Sequence, residues 1–185
     1  MEATIGTLLE QTRGPKVQSS TVLTSWNPRW LLSHSTSQAA DKKQAIMNLL
    51  LKGNTVSLQE THWHASAAAR WENSFPGNKV ATAPAIRSTE GGWLGGVATI
   101  VPIGATLLEH TILEPACGLQ CIIQRGTLPP ERFINMYLPP HARLPTLRAI
   151  AAGVATFTGR YYFCGDFNID LDQPRDAEEA NIAAE

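Results

Sequence analysis

Aspartate is scarce in this 185-residue chain: the only one ahead of Gly165 is Asp41. Charge is thin overall, at 17% of residues against a typical value of about 25%. Long hydrophobic runs are missing too. A membrane-spanning helix needs roughly 18 consecutive apolar residues, and Pro102 breaks the best candidate, Gly96 to Leu108. Cysteine occurs three times, at 117, 121 and 164, an odd count without a disulfide framework that suits a reducing compartment. The beginning of the chain carries Glu2 and no basic stretch leading into an apolar core, so no secretory leader is expected. Internal repeats and low-complexity tracts are absent as well, which excludes solenoids and arrays.

What is present suits a globular domain. Hydrophobic residues make up 43% of the chain, enough for a real core and too many for intrinsic disorder. The length fits a single domain, which would bury roughly 70% of its unfolded surface. The net charge of -1 conceals an asymmetry. From Asp166 onward seven acids face one base, Arg175, a local charge of -6 that leaves +5 on the residues before it. A body of that charge tolerates a polyanionic partner without demanding one.

Hydrophobic periodicity and turn residues predict the elements. Thr21 to Trp26 reads as a short buried strand, and Ser37 caps a helix running to Lys52 that Gly53 stops. Thr55 to Gln59 is the next strand, and this strand–helix–strand opening points to an α/β or α+β domain. An alanine-rich segment, Ala65 to Asn73, forms a short helix before Pro76-Gly77. Strands are expected at Val97 to Val101, Leu107 to Leu113, Leu119 to Gln124 and Arg132 to Tyr137. Leu144 to Phe157 is a second helix, and Tyr161 to Gly165 a buried strand that delivers Asp166 at its end.

Three of these strands end in hydrogen-bonding residues: Ser25-Trp26-Asn27, Ser57-Leu58-Gln59-Glu60-Thr61-His62-Trp63 and Phe163-Cys164-Gly165-Asp166-Phe167-Asn168. If neighbouring sheets bring those ends together, the residues converge on one cleft. Glu60 and Asp166 are hard oxygen ligands suited to Mg²⁺, which favours one or two carboxylates together with waters and substrate phosphate. Asn27 and Asn168 orient a phosphate without repelling it. Taken singly, each is as readily explained by loop solvation or turn chemistry.

Together, SWN, SLQETHW, GGVATIV, INMYLPP and YYFCGDFNID, in this order, make the chain resemble the endonuclease/exonuclease/phosphatase superfamily. Within it the chain is most similar to the apurinic-type endonuclease domain of non-LTR retrotransposons. The resemblance runs from Val22 to Asp172. It divides the chain into an irregular lead-in at 1–20, a partial domain at 21–172 and an acidic tail at 173–185. The implied fold is α+β, a four-layer sandwich of two mixed β-sheets flanked by helices and C-terminally truncated. The implied reaction is hydrolysis of a phosphodiester with Mg²⁺, or alternatively Mn²⁺, neutralising charge on its oxygens. Glu60 would be the principal metal ligand, with Asn27 binding metal or orienting the catalytic acid. Tyr137 would reach the scissile phosphate, Asp166 would position or activate water, and Asn168 would hold the phosphate. The implied partner is nucleic acid, DNA ahead of RNA. No membrane and no obligate protein partner is indicated. The expected location is intracellular, and retroelement descent would make it nuclear although no basic import cluster is present.

The chain also departs from the pattern. The superfamily completes its site with a further Asp and a later Asp-His pair, whereas the histidines here (34, 62, 64, 110 and 141) all precede GDFN. Arg29 and Pro140 replace residues seen in relatives. The expectations are an open sheet edge with uncovered apolar surface, and little or no nuclease activity in the chain as given. Two alternatives keep the same residues: a phosphomonoesterase or phospholipid phosphatase of this fold, and a catalytically dead remnant or interaction module.

Other features have simpler readings. The cysteines are expected in strand core rather than on zinc. In His62-Trp63-His64, Trp63 is expected to pack locally with the histidines exposed, rather than to stack on a base. Gly91 to Gly96 reads as a hairpin turn, without the lysine of a phosphate-binding loop. His141 and Arg143 are balanced between a phosphate contact and loop solvation.

Overall fold

The computed structural model describes residues 22–28, 37–89, 91–154, 161–169 and 176–184. In chain order these form β1 (Leu23–Trp26), α1 (Ser37–Leu51), β2 (Thr55–Leu58), α2 (Ala68–Ser74, entered through a 3-10 turn) and β3 (Lys79–Ala83). The short strands β4 (Ile86–Arg87) and β5 (Trp93–Leu94) follow, then β6 (Val97–Val101), β7 (Ala105–Glu114), β8 (Gly118–Arg125) and β9 (Glu131–Tyr137). The last elements are α3 (Arg143–Val154), β10 (Tyr161–Asp166) and α4 (Ala177–Ala184).

Two four-stranded sheets result, ordered β1-β2-β6-β3 and β10-β9-β8-β7, with β4 and β5 forming a separate hairpin. Both sheets are mixed, because β1 runs parallel to β2 and β10 parallel to β9 while the other pairs are antiparallel. Strand alternation distributes the side chains into layers. Val56, Leu58, Ala98 and Ile100 point outward against Ile46 and Leu50 of α1, with Trp63 and Phe75 closing that cluster. Val97, Val101, Leu119, Ile123 and Phe133 fill the space between the sheets. Ile134 and Met136 face the other way, against Ile150 and Val154 of α3. The order helix, sheet, sheet, helix is the expected α+β sandwich.

Most expected elements fall within a residue or two of their observed bounds. Thr21 and residues 155–160 lie outside the described residues, as do the 1–20 lead-in and positions 173–175. Lys79–Ala83, to which the sequence reading assigned no element, is a strand that pairs with β6 along its full length. The acidic tail, helix-like in sequence, contributes α4, anchored by an ion pair of Asp176 with Arg143. Arg143 is therefore buried at 3% exposure, neither solvated nor presented to a phosphate, and it also donates to the Pro140 carbonyl at 2.6 Å. β1 and β10 are the outermost strands of their sheets. Tyr161 and Phe163 within β10 and Phe167 just after it are 36%, 50% and 39% exposed, so the strand expected to be buried lies at the edge of its sheet and leaves one apolar face open among the described residues.

Candidate active site

Parallel pairing places strand C-termini side by side. In the first sheet Trp26 is the register partner of Leu58, so Asn27 leaves β1 next to the point where Gln59 and Glu60 leave β2. The second sheet pairs Tyr137 with Asp166. Stacking the sheets then brings all four chain ends to one end of the sandwich.

The resulting cluster is hydrogen-bonded throughout. The Asn27 amide donates to the Glu60 carboxylate at 2.9 Å and to the Asp166 carboxylate at 2.6 Å. The Tyr137 hydroxyl donates to the other Glu60 oxygen at 2.6 Å, crossing from one sheet to the other. Asp166 accepts the Asn168 backbone N–H at 3.1 Å, an Asx-type turn that fixes its carboxylate. The Asn168 side-chain amide donates to the Leu138 carbonyl at 3.0 Å. All five residues singled out from the sequence therefore share one site. Asn168 enters it chiefly by shaping the loop that holds Asp166.

Backbone strain concentrates here. Glu60, His62 and Asn168 adopt φ of 48°, 55° and 49°, left-handed values uncommon outside glycine. The Glu60 loop is held in that shape by Thr61 N–H to Gly96 O and His62 N–H to Gly95 O, each 3.0 Å. Gly96, at φ +88°, leaves no room for a side chain, since a Cβ would sit 2.7 Å from the Thr61 hydroxyl. Gly165 is equally constrained, because a Cβ there would lie 2.0 Å from the Met136 carbonyl oxygen.

Electrostatics define one role. Burial raises the Tyr137 pKa well above its ordinary value, and its hydrogen bond to Glu60 and the nearby Glu60 and Asp166 charges push it the same way. Tyr137 is consequently a neutral phenol throughout the physiological range, a donor and not an anion.

Beneath the carboxylates lies a polar seam that sequence reading did not single out. Asn135, fully buried in β9, donates its amide to the Ala98 carbonyl at 2.8 Å and the Leu58 carbonyl at 3.2 Å. It accepts from the Gln59 amide at 2.7 Å, and the Ser25 hydroxyl approaches Gln59 at 3.4 Å. Gln59 immediately precedes Glu60, and Asn135 lies two residues before Tyr137. The available signal was their position: each occupies an inward-facing site in a strand whose other residues are largely apolar or small.

The remaining features resolve as follows. Cys121 and Cys164 are buried in strands and Cys117 is half-buried in the turn before β8, all as free thiols. No group of three or more His, Cys, Asp or Glu side chains that could hold a metal occurs among the described residues. Trp63 is buried in the α1 cluster, as expected, but His62 and His64 are only partly exposed. The glycine run splits, with Gly91 and Gly92 bonded to Ser88 at the end of the β4–β5 hairpin while Gly95 and Gly96 clasp the Glu60 loop.

No protein-family model and no curated protein sequence matches the chain. Solved structures do. Humanized D. rerio TDP2 superposes with a TM-score of 0.59 at 16% identity over 86% of this chain and 69% of its own. AP endonuclease LMAP from Leishmania major gives 0.55 at 16% over 84% and 58%. The 3′ phosphatase NExo from Neisseria, bound to product DNA hairpin, gives 0.53 at 19% over 81% and 60%. The chain thus spans 58% to 69% of the lengths of these proteins. An endonuclease/exonuclease/phosphatase family protein from Bacteroides thetaiotaomicron shares the same architecture.

Proposed function

We propose that the Asn27–Glu60–Tyr137–Asp166 cluster is a phosphodiester-hydrolysing site that works with a divalent metal on nucleic acid, DNA in preference to RNA. The supporting observation is the amide of Asn27 bridging two carboxylates delivered by different sheets. Such a bridge holds the two carboxylates at one point between the sheets. It also leaves both carboxylates in one hydrogen-bonded network with a neutral phenol at 2.6 Å from Glu60.

The donor set fits Mg²⁺. The two carboxylates, on either side of the Asn27 amide, are hard oxygen donors, and Mg²⁺ takes one or two carboxylates and keeps several waters instead of a full protein cage. Glu60 is the residue that would hold it, assisted by Asn27. Bound there, the metal would neutralise charge developing on the phosphate oxygens. Asp166, its carboxylate fixed by Asn27 and by the Asn168 N–H, would accept the proton of the attacking water as that water's oxygen bonds to phosphorus and the phosphorus–oxygen ester bond breaks, the departing alkoxide taking its proton from solvent. Tyr137 donates its hydrogen bond to a phosphoryl oxygen in exchange for the one it gives Glu60. Asn168 lines the same edge and supports the phosphate. The retrotransposon-type character is carried by the SLQETHW and CGDFN stretches.

Calorimetric titration with Mg²⁺ provides the test. Wild-type chain should bind, and Glu60→Ala should lose at least tenfold in affinity. Little or no Mg²⁺-dependent nicking of supercoiled plasmid is expected from the chain as given, and any that is measured should vanish in Glu60→Ala, while inositol phosphates are left intact. Equal Mg²⁺ affinity in the wild type, Glu60→Ala and Asp166→Ala would sink the assignment.

A further inference from the structure

Four residues beyond Glu60, the His64 imidazole stacks on the Trp93 indole with centroids 4.8 Å apart and planes 22° from parallel. Trp93 lies in β5, and its register partner across the hairpin is Arg87, whose guanidinium carbon sits 5.8 Å from the indole centroid. The order guanidinium, indole, imidazole thus connects an exposed cation to the loop that carries Glu60. The hairpin is fastened at its root, where Ala85 N–H donates to Trp63 O at 2.7 Å and the Glu60 loop donates to Gly95 and Gly96. Ser66 Oγ lies 2.6 Å from His64 Nδ1 and steadies the ring. Hairpin and candidate active-site loop are therefore one braced unit.

The exposed chemistry is unusual for a simple brace. Arg87 is exposed, Trp93 and His64 are partly exposed, and Ile86 and Leu94 on the opposite face of the ribbon are 49% and 44% exposed. Glu90 is the only acid in sequence between Ile86 and Leu94. A planar guanidinium is the side chain best shaped for a phosphate, and an aromatic platform beside a cation is the usual means of holding a strand without reading its sequence.

We infer that the β4–β5 hairpin is a second contact for the nucleic-acid strand, with Arg87 on a backbone phosphate and the Trp93–His64 stack against a neighbouring nucleobase. The inference rests on reading the Glu60–Asp166 cluster as a phosphodiester site. Reach supports it. Four residues span at most about 14 Å, and successive nucleotides of a duplex strand advance 3.4 Å, so the His64 end of the contact falls within about four nucleotide steps of the scissile bond, with Arg87 farther along.

The decisive experiment is binding of a fluorescently labelled, single-stranded phosphorothioate DNA to the full chain in EDTA, measured across a range of salt concentrations. Arg87→Gln should reduce the slope of log affinity against log salt by about 0.7, the value for one phosphate contact on a single strand. Trp93→Ala should weaken binding by about fivefold or more at every salt concentration with the slope unchanged, and Trp93→Phe should restore most of it. A brace alone would lower the melting temperature of these variants and leave the salt slope untouched. The inference is overturned if Arg87→Gln keeps the wild-type slope, or if the wild type binds no oligonucleotide. Arg87 is exposed, so its replacement tests the idea even where Trp93→Ala misfolds. Hairpin-dependent binding without any effect of Glu60→Ala on Mg²⁺ affinity would discard the active-site reading and leave this contact standing.

Discussion

The space between the two sheets is built differently at its two ends. Away from the cluster, Val101, Ile123 and Phe133 interlock as ordinary apolar core. Under the cluster, Ser25, Gln59, Thr99 and Asn135 meet through directed hydrogen bonds. Apolar packing accepts small shifts of one sheet against the other, because its energy follows buried area more than direction. Hydrogen bonds specify both distance and angle. The directed contacts lie where a 2.6 Å bond between Tyr137 and Glu60 must span the two sheets. The apolar end supplies cohesion and the seam supplies register.

Asn135→Leu is the strongest way to break that distinction. Leucine is close in size but leaves the Gln59 amide and the Leu58 and Ala98 carbonyls without their partner. Each buried polar group so stranded costs about 1–3 kcal/mol, for a total loss of about 3 kcal/mol or more in denaturant unfolding. The Mg²⁺ affinity of the molecules that remain folded should fall as well, since Glu60 and Tyr137 lose their common support. Loss of stability with undiminished Mg²⁺ affinity would make the seam adhesive and nothing more.

Ile123→Val probes the other end with a smaller effect. Removing one methylene from the apolar core should cost about 1 kcal/mol in the same unfolding experiment. Here Mg²⁺ affinity should stay at the wild-type value, because nothing directional links Ile123 to the carboxylates. A shift in affinity would show that the apolar end also sets the sheet register.

These two ends differed in how legible they were. Short apolar stretches in Val97–Val101 and Arg132–Tyr137 announced strands, and strand-terminal Asn27, Glu60 and Asp166 announced a convergence of polar ends, because both patterns are local. Lys79–Ala83 escaped notice since its lysine and alanines have weak strand preference, and only pairing with β6 makes it a strand. Arg143 looked like a loop cation because its partner, Asp176, is distant in sequence. Trp63 stood beside Glu60 and drew attention as an aromatic, yet it is buried, while the partly exposed ring next to the loop is Trp93 from another segment. Asn135 and Gln59 were visible as letters, but their meeting depends on how two sheets stack, which no window of sequence contains.

Cys121 and Cys164 sit where the two regimes meet, and they support the smallest of the expected effects. Both thiols are buried in the second sheet; their pKa values are pushed from 9.0 to about 12 and about 11, with burial as the main cause in each. Thr99 and Ser57, both in the first sheet, hydrogen-bond to Cys121 and Cys164 respectively and pull the other way. Because the folded values are raised, the folded chain keeps protons that the unfolded chain releases. The stability from this source is complete below pH 9 and declines as pH rises toward 11 to 12, by about 1.4 kcal/mol per unit and per thiol once the unfolded thiol is fully ionised. At pH 9.5 the loss should still be less than about 1 kcal/mol per thiol, and Tyr137 adds only about 0.2 kcal/mol because an unfolded tyrosine ionises near 10. Cys117, pushed from 9.0 to about 11 by burial and then by Glu114, adds a third equal share. Urea unfolding at pH 7.5 and 9.5 reads the difference, and Cys121→Ala should remove about a third of it whatever its own cost at pH 7.5. An unchanged pH dependence in that variant would mean that water reaches the thiols, and that the boundary between the apolar end and the seam is open to solvent instead of sealed.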